Sequence, residues 1–453
     1  MSGYENYTLS PVPWIKQMPG HWGLVRGKNL YQKMQRPTSD TDEVVTCFRD
    51  GTVTLRKNRR TTGFTESLKE IGYQGIRKGD LVIHVMDAFA GSIGVSDSDG
   101  KGTPVYSVCQ AKGNSNNQYY ALLLREMARS GYIQSLYRGI RERSSDFRFE
   151  VFAAQFYPVP PREEQDQIVR FLNWKVSSIN KLIRIRKRQI EELEAIKRSS
   201  IGYLVMGQAQ SIPQRDTEVN WVKTIPAHWN EKTLIQVAEE QQIKNAGMVE
   251  DNLLSLSYGK IINKDINTAD GLLPSSFEGY QIVHDGNIIL RLTDLQNDHK
   301  SLRTGLVTQT GIITSAYTCL KVRHNILPEY LQLQLHVADL CKVFYGMGGG
   351  VRQSIGFTEI RKLVIAIPPV EEQQYILDRV HGIEKPINCA IQNIRDIIAG
   401  LEDLKTRLIS DAVTGKIDVR GIEIPEYEFV AEDTNADNED DEEETEEQEG
   451  AEE

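Results

Sequence analysis

A six-residue motif that occurs twice constrains this chain more than any other feature of its sequence. PPREEQ at residues 160–165 opens a helical pattern that ends near Gly207, and PPVEEQ at residues 368–373 opens another that ends near Gly415. The copies lie 208 positions apart, which indicates one large unit used twice rather than a short solenoid repeat. Proline at the first helical position and two glutamates in the first turn are both typical of a helix start.

Apolar residues in both helical patterns recur at alternating steps of four and three. In the second copy they are Ile387, Ile391, Ile394, Ile398 and Leu401. The equivalent positions of the first copy are Ile179, Ile183, Arg186, Ile190 and Leu193. Such spacing buries one narrow stripe of a helix against another helix. We therefore expect the two helices to pair as an antiparallel coiled coil; the alternative is that each stripe packs on its own globular domain.

A tryptophan-containing segment precedes each helical pattern and is also duplicated. WIKQMPGHW at residues 14–22 matches WVKTIPAHW at residues 221–229, and these tryptophan segments hold four of the five tryptophans of the chain. Their indoles are candidates either for base stacking or for a buried anchor at the start of a domain. The anchor is the favoured interpretation, because a buried aromatic ring contributes a large packing area.

Between each tryptophan segment and the following helix, matched landmarks predict a globular domain that contains both helices and strands. Strands are predicted at residues 79–87 and 286–294 and at 105–109 and 316–319, and helices at 119–127 and 330–340. The predicted fold class is α+β (mixed α/β), with two globular domains separated by two long helices. The predicted boundaries are 1–158 for the first domain, 159–207 for the first helix, 208–366 for the second domain, 367–418 for the second helix and 419–453 for a disordered acidic tail.

The first helix is predicted to span at least residues 163–200, which corresponds to about 57 Å at ~1.5 Å per residue. Five widely spaced cysteines without a C-x-x-C pair favour a reducing compartment and argue against a disulfide framework or a zinc site. The polar N-terminus and the absence of a long apolar run predict neither a secretory signal nor a transmembrane helix. A cytoplasmic location is therefore expected.

The formal net charge of −10 conceals a strong asymmetry. Residues 423–453 contain 17 Asp or Glu and no Lys or Arg, whereas residues 1–422 contain 46 acidic and 53 basic residues. A mildly basic body suits a polyanionic partner. An acidic block of this kind is expected to be disordered. It either keeps the chain soluble or folds back over basic surfaces and competes with DNA for them.

The common catalytic motifs are missing from the sequence. The Gly-Lys pairs are not followed by Ser or Thr as in a P-loop, no HExxH occurs, and both Pro-Pro pairs lack the Asn or Asp and the aromatic residue of adenine methyltransferases. The glycine-rich stretch 346–350 is interpreted as a mobile loop, with a phosphate cradle as the alternative. We therefore expect no catalysis by the chain alone and no bound cofactor or metal.

The duplicated order of tryptophan segment, domain and PPxEEQ helix resembles the specificity subunit of type I restriction–modification systems over residues 11–418. The acidic tail departs from that pattern. The resemblance implies a protein of DNA defence whose target recognition domains bind double-stranded DNA. It also implies two modification (methyltransferase) subunits, which carry S-adenosylmethionine and methylate adenine, docked on the helices. In systems that restrict DNA, two restriction subunits (ATP-dependent endonucleases) join them.

Two unlike recognition domains on one spacer predict a bipartite, asymmetric target with half-sites about one helical turn apart. Candidate DNA-binding residues are cations able to reach phosphates or base edges. They are Arg56, Lys57, Arg59, Arg60, Arg138, Arg141, Arg143, Arg291, Lys300, Arg303 and Arg352. The candidates for binding the partner subunits are Arg184, Lys187, Arg188, Glu371 and Glu372. The basic patch on the helix could instead contact the DNA backbone, and the alternative function is a coiled-coil scaffold for proteins without sequence-specific DNA binding.

Overall fold

The structure, a computed structural model, describes residues 2–59, 71–136, 146–208, 212–266, 274, 276–295, 298, 302–323, 325–347 and 354–432. Its internal contacts divide the chain into two compact units. Unit 1 contains residues 1–185 and 396–432, and the described part of unit 2 contains residues 186–395. Each unit combines one globular domain with parts of both long helices. This division by contacts differs from the five consecutive segments predicted from the sequence.

Unit 1 contains twelve described strands and four short helices before the first long helix. The strands are β1 (Tyr7–Leu9), β2 (Gln17–Pro19), β3 (Gly23–Arg26), β4 (Tyr31–Lys33), β5 (Val45–Cys47), β6 (Val53–Leu55), β7 (Gln74–Ile76), β8 (Leu81–His84), β9 (Ile93–Val95), β10 (Gly100–Gly102), β11 (Tyr106–Ala111) and β12 (Phe156–Val159). The helices are α1 (Gly27–Leu30), α2 (Asn117–Arg129), α3 (Tyr132–Ser135), α4 (Phe149–Ala154) and the long α5 (Arg162–Val205). The central sheet is antiparallel, in the order β4-β11-β8-β9.

Unit 2 repeats this plan. Its described strands are β13 (Gln214–Asp216), β14 (Thr224–Pro226), β15 (Asn230–Thr233), β16 (Ala238–Glu240), β17 (Ile243–Lys244), β18 (Leu254–Ser257), β19 (Lys260–Asn263), β20 (Gln281–Val283), β21 (Ile288–Leu290), β22 (Thr304–Leu306), β23 (Gly311–Ile313), β24 (Thr318–Val322) and β25 (Val364–Ile367). Its helices are α6 (Leu234–Val237), α7 (Pro328–Leu340), α8 (Phe357–Ile360) and the long α9 (Val370–Val413). The central sheet β16-β24-β21-β22 is also antiparallel.

The continuous apolar strand predicted in each domain is confirmed as β8 and β21, and both are buried on two faces. In β8, Leu81 and Ile83 belong to the cluster that includes α2, whereas Val82 packs with residues of the β5–β6 hairpin. In β21, Ile288 and Leu290 pack towards α7, whereas Ile289 joins the cluster of the β18–β19 hairpin. A strand covered on both sides has no polar face, which explains its unbroken apolar sequence.

Both long helices are 44 residues long; they lie inside the predicted bounds 159–207 and 367–418, and α5 exceeds the predicted minimum of 163–200. They begin at Arg162 and Val370, after the two prolines of each motif, and the carbonyls of Pro161 and Pro369 accept the first helical hydrogen bonds, at 3.0 Å from Gln165 N and 2.9 Å from Gln373 N. The prolines therefore precede the helices instead of occupying their first position. The predicted apolar stripes are confirmed as buried or half-buried at every position, while most residues between them are exposed.

The ends of the two long helices meet within each unit. In unit 1, Ile168 near the start of α5 shares an apolar cluster with Val413 at the end of α9. In unit 2, Val205 at the end of α5 shares a cluster with Ile376 near the start of α9. This opposite pairing of starts and ends is what an antiparallel arrangement requires, and coiled-coil pairing along the stripes stays a prediction. Within the described ranges, no helix is both long and apolar enough to cross a membrane.

The C-terminal segment 419–432 corrects one prediction, because it was expected to belong to a disordered tail. In the structure this C-terminal strap lies against α5. Ser177 Oγ donates to the carbonyl of Glu428 at 2.9 Å and accepts from the amide of Val430 at 2.7 Å. Asn180 Nδ2 donates to the carbonyl of Val430 at 3.1 Å, and the Val430 side chain is buried. Alternating apolar residues and helix side-chain partners let an acidic segment pack here. Residues 433–453 lie outside the described part of the chain.

Candidate nucleic-acid interface

The second glutamate of the first PPxEEQ motif connects α5 to the tryptophan segment of unit 1. Glu164 Oε1 accepts hydrogen bonds from Tyr4 Oη at 2.5 Å and from Trp22 Nε1 at 2.9 Å. Its other oxygen, Oε2, lies 2.7 Å from Nε2 of His21. Burial and the hydrogen bond to Glu164 raise the pKa of Tyr4 well above its usual value. The carboxylate is buried, so it serves as an internal anchor.

The glutamine of each motif connects its long helix to the helix that covers the central sheet. Gln165 Oε1 accepts from the backbone amide of Asn116, the residue that caps α2, at 2.9 Å. Gln373 Oε1 accepts from the backbone amide of Leu327, which precedes α7, at 2.9 Å. Each glutamine also donates to the carbonyl of the first proline of its own motif, at 2.8 Å and 3.0 Å. The spacing that the two copies share thus fixes the direction in which each helix leaves its domain.

The anchor of unit 2 is simpler. Glu372 Oε2 lies 2.7 Å from Nε2 of His228, and the indole Nε1 of Trp229 is buried without a hydrogen-bond partner among the described residues. Glu372 therefore faces its own tryptophan segment, and its predicted role in partner binding stays a prediction. Glu371 is exposed, and its predicted role in partner binding stays a prediction.

The backbone conformation and the close contacts at Gly207 and Gly415 explain why both copies of the repeat have glycine there. Both have positive φ, at 69° and 76°, which glycine adopts without strain. A β-carbon at Gly207 would clash with the ring of Pro226, and one at Gly415 would clash with the ring of Pro19. Each tryptophan segment therefore contacts the start of one long helix at the motif glutamate of that helix. It contacts the end of the other long helix at the glycine that follows it. The anchor interpretation of the tryptophans is supported in both units.

The basic patch predicted on α5 lies on the exposed part of the helix. Arg184, Lys187 and Arg188 are all exposed, and Arg188 Nε lies 3.1 Å from the carboxylate of Glu192 one turn further on. The patch is accessible to a protein or to DNA, and neither alternative is favoured by these positions. Its role stays a prediction.

The basic cluster after β6 is partly neutralised within unit 1. Lys57 Nζ lies 2.6 Å from Glu43, and Arg59 Nη1 lies 2.7 Å from Asp50. Arg59 also stacks over the ring of Phe48, with its guanidinium carbon 4.3 Å from the ring centroid and its side chain only 13 % exposed. Mutual repulsion of these cations therefore does not by itself require a phosphate partner. Half-buried Arg56 approaches Thr46 at 3.4 Å.

Arg303 corrects another prediction. Its side chain has no exposed surface and donates hydrogen bonds to the carbonyls of Arg291 at 3.2 Å and Thr293 at 2.7 Å. It also donates to the carbonyls of Asp294 and Asp298 and to the hydroxyl of Tyr345. A guanidinium enclosed in this way cannot reach a phosphate, so Arg303 positions the segment after β21 instead of contacting DNA directly.

Arg291, at the start of that segment, is partly exposed and lies 4.0 Å from Asp298. Its predicted contact with DNA stays a prediction. The remaining candidates lie outside the described residues: Arg60, Arg138, Arg141, Arg143, Lys300 and Arg352.

A pair of hairpins that the sequence did not predict occupies equivalent positions in the two units. In unit 1 the tip of the β5–β6 hairpin (residues 48–52) lies against the connection from β8 to β9, and Arg49 Nη2 is 3.7 Å from Asp87 Oδ1. His84 lies 3.6 Å from the same carboxylate. Burial lowers the pKa of His84 against the opposing effect of Asp87, which favours a neutral imidazole able both to donate and to accept hydrogen bonds.

In unit 2 the β18–β19 hairpin is closed by the two residues Tyr258 and Gly259, whose φ angles are 45° and 75°. The tip lies beside Leu302, at the end of the connection from β21 to β22 that Arg303 holds. Tyr258 is 75 % exposed and is followed by the exposed Lys260. Alternating apolar and polar residues on both sides of a two-residue turn could have identified this hairpin from the sequence. The turn is Tyr-Gly, however, and not the usual Asn-Gly.

The comparisons with known proteins agree with this architecture. Residues 305–398 match the family described as the type I restriction modification DNA specificity domain. No curated protein matches the chain in sequence. A chain solved in work on complex assembly and conformational transition of the type I R–M system aligns with a TM-score of 0.62 at 14 % identity, over 88 % of this chain and 99 % of that chain.

Two further solved structures are similar over most of their length. The HsdS subunit from Thermoanaerobacter tengcongensis has a TM-score of 0.45 at 14 % identity, over 88 % of this chain and 98 % of that chain. The type I restriction–modification S subunit from M. genitalium has a TM-score of 0.33 at 12 % identity, over 91 % and 99 %. The family match lies in the second copy of the duplicated plan, and the likeness of fold at a TM-score of 0.62 extends over 88 % of the chain. Residues 305–398 thus match the type I restriction modification DNA specificity domain, and the chain as a whole has the fold of the chain solved in the work on the type I R–M system.

Proposed function

We propose that this chain selects the DNA target of a type I restriction–modification complex by recognising a bipartite, asymmetric sequence. Each unit recognises one half-site, and the bases between the half-sites are spanned without being recognised. Two units with the same sheet order but different surface side chains support this proposal, because unlike surfaces select unlike half-sites. The half-sites are expected about one helical turn apart on one face of the duplex.

The single observation that carries the proposal is the reciprocal anchoring of the long helices. In unit 1 the tryptophan segment holds the start of α5 through Glu164 and the end of α9 through Gly415. In unit 2 it holds the start of α9 through Glu372 and the end of α5 through Gly207. Each recognition domain is thus fixed to both helices, as a protein that measures the distance between two half-sites requires. The proposal includes antiparallel coiled-coil pairing of α5 and α9.

The modification subunits are proposed to dock on the exposed faces of α5 and α9, one for each half-site. They supply S-adenosylmethionine and transfer its methyl group to adenine, while this chain binds no cofactor and performs no catalysis. Two restriction subunits join in a complex that also cleaves DNA. The exposed Arg184, Lys187, Arg188 and Glu371 are the candidate docking residues on these faces.

Methylome sequencing of a host that carries this chain and its modification subunit tests the proposal. We expect methylated adenines in two unlike motifs at one fixed separation. A gel-shift assay of the assembled complex with random duplexes provides an independent test. A complex that binds all duplexes equally would contradict DNA recognition and leave a protein scaffold as the function. Methyl transfer by the purified chain alone would contradict the non-catalytic role.

A further inference from the structure

We propose that the hairpin tip and the adjoining strand connection of each unit form the surface that discriminates bases, with Arg49 in unit 1 and Tyr258 in unit 2 as specificity-determining residues. This inference rests on the proposed function and names the part of each unit that carries it out. Neither residue was among the candidates selected from the sequence.

The two hairpins are equivalent because they occupy the same place in the same sheet plan. In unit 1 the hairpin packs on β9 at Gly94, where a β-carbon would clash with the carbonyl of Gly51. In unit 2 it packs on β22 at Gly305, where a β-carbon would lie 2.6 Å from Leu256 and 3.0 Å from Ile261. A glycine in the edge strand thus lets each hairpin seat closely on the sheet. The tips are held firmly by the fold, as a base-recognising element requires.

The backbone conformation of Tyr258 is unfavourable for a tyrosine. Its φ of 45° is a left-handed conformation that suits glycine or asparagine in a two-residue turn, and an aromatic residue there is strained. The ring is 75 % exposed, so little packing offsets the strain. Strain of this kind is concentrated at functional sites. An exposed ring beside Lys260 suits DNA, because the ring can contact a base while the ammonium group contacts a phosphate.

Arg49 occupies the corresponding tip in unit 1 and offers different chemistry. Its side chain is 71 % exposed, and Asp87 at 3.7 Å orients the guanidinium without enclosing it. An arginine presented in this way matches the O6 and N7 acceptors of guanine. His84, on the same connection, supplies a second group that can donate or accept. Equivalent tips with unlike side chains are what an asymmetric target requires.

The decisive test separates folding from recognition by replacing Tyr258 with asparagine. Tyr258→Asn relieves the left-handed strain, so we expect a higher thermal midpoint. It removes the ring, so we expect about 10-fold weaker discrimination at the half-site of unit 2, within the range for loss of one good base contact. The half-site of unit 1 should be unaffected. Both quantities are measured on the complex with the modification subunit, by thermal melting and by competition binding with single-base variants of the target.

Arg49→Gln is the reciprocal variant, and it should relax only the half-site of unit 1. Arg148→Gln is the matched control, because Arg148 is 68 % exposed and pairs with Asp146 elsewhere in unit 1. If the wild-type complex discriminates between sequences but both hairpin variants keep full discrimination, this inference is wrong and the proposed function stands. If the wild-type complex shows no sequence preference, the proposed function itself fails. Equal loss at both half-sites would also contradict the assignment of one tip to each half-site.

Discussion

Glu164 Oε1 accepts a hydrogen bond from the indole nitrogen of Trp22 at 2.9 Å, although the two residues are separated by 142 positions. The same oxygen accepts from Tyr4 Oη at 2.5 Å. The duplicated glutamate and the duplicated tryptophan are therefore two parts of one contact in unit 1. In unit 2 the equivalent glutamate binds His228, and the indole of Trp229 is left unpaired among the described residues. The glutamate of the first copy therefore accepts two buried hydrogen bonds that the glutamate of the second copy lacks.

This difference predicts unequal effects of removing the two glutamates. Glu164→Ala leaves two buried donors, those of Tyr4 and Trp22, without a partner, and we expect a loss of about 3 kcal/mol in the free energy of unfolding. Glu372→Ala should cost about 1 kcal/mol, since its partner His228 is itself partly exposed. Urea unfolding of the full chain, followed by tryptophan fluorescence, measures both. Equal losses for the two variants would show that the shared motif, and not the number of buried partners, sets the stabilisation.

A pH dependence is expected from Glu231 in unit 2. Its hydrogen bond from Thr217 Oγ1 is the main cause that holds the pKa of the carboxylate below its usual value, and Arg215 at 3.0 Å adds to it. A depressed pKa in the folded state stabilises the fold above the unfolded pKa of about 4.3 and loses that contribution as pH falls through the lower folded value. Glu231→Gln should therefore reduce stability at pH 7 and remove part of its decline below about pH 4. Parallel pH profiles of the wild type and the variant would reveal no difference if the carboxylate does not contribute.

The sequence predicted the fold wherever one local pattern decides the structure. The unbroken apolar strands, the amphipathic helices and both 44-residue helices lie where periodicity placed them. The duplicated motifs predicted the plan of two domains. Glu164 and Gln165 each bind a residue of the preceding domain, so a second copy of the motif implies a second domain. The helices begin after the prolines of each motif and not at them, since a proline just before a helix and a proline at its first position have the same sequence signature.

The candidate site was predicted less well, because exposure is a tertiary property. The sequence around a cation does not show whether its side chain is exposed, as that of Lys57 is, or fully enclosed, as that of Arg303 is. No sequence pattern identifies Tyr258 as a candidate; its positive φ and its exposure in the structure do. The acidic character of residues 423–432 suggested disorder. The structure shows instead that the hydrogen-bonding side chains of α5, among them Ser177 and Asn180, hold this segment.

Arg303 is expected to stabilise unit 2 without contributing to phosphate contacts. Arg303→Met keeps much of the volume but leaves several loop carbonyls unpaired, and it should cost about 3 kcal/mol of unfolding free energy. Arg291→Met, its partly exposed neighbour, should cost less than about 1 kcal/mol. If Arg291 contacts a phosphate, its variant also lowers the slope of log affinity against log salt by about one, whereas Arg303→Met leaves that slope unchanged. A changed slope for Arg303→Met would restore it as a direct contact.

Pro386 lies inside α9, where its ring removes one helical hydrogen bond and crowds the preceding turn. The equivalent position in α5 is Ser178, which leaves that helix uninterrupted. Pro386→Ala should therefore raise the stability of the chain by about 1–3 kcal/mol, measured by chemical unfolding. Ser178→Pro is the reciprocal variant and should lower it by a similar amount. A neutral or destabilising Pro386→Ala would show that the surrounding contacts are built around the irregular helix.

The acidic residues beyond the C-terminal strap are expected to weaken non-specific DNA binding. The strap ends at Glu432, which lies 2.5 Å from Lys405. Its negative charge also acts on Arg125, where it opposes the lowering of the Arg125 pKa that burial causes. Arg125 packs against Gly51 at the β5–β6 hairpin tip, so Glu432, the last described residue, lies near the proposed recognition surface of unit 1. Truncation after Glu432 keeps the strap and should tighten binding to non-specific duplexes at low salt.

The gain should fade as salt rises, because the effect is electrostatic and the Debye length shortens to about 3 Å at 1 M. A full-length variant in which the acidic residues of 433–453 become Gln or Asn is the matched control, since it keeps the tail length and removes its charge. It should behave like the truncated chain if charge is the cause. Unchanged affinity in both variants at low salt would leave the acidic segment with a role in solubility alone. A gain confined to the truncated chain would identify bulk, instead of charge, as what opposes DNA.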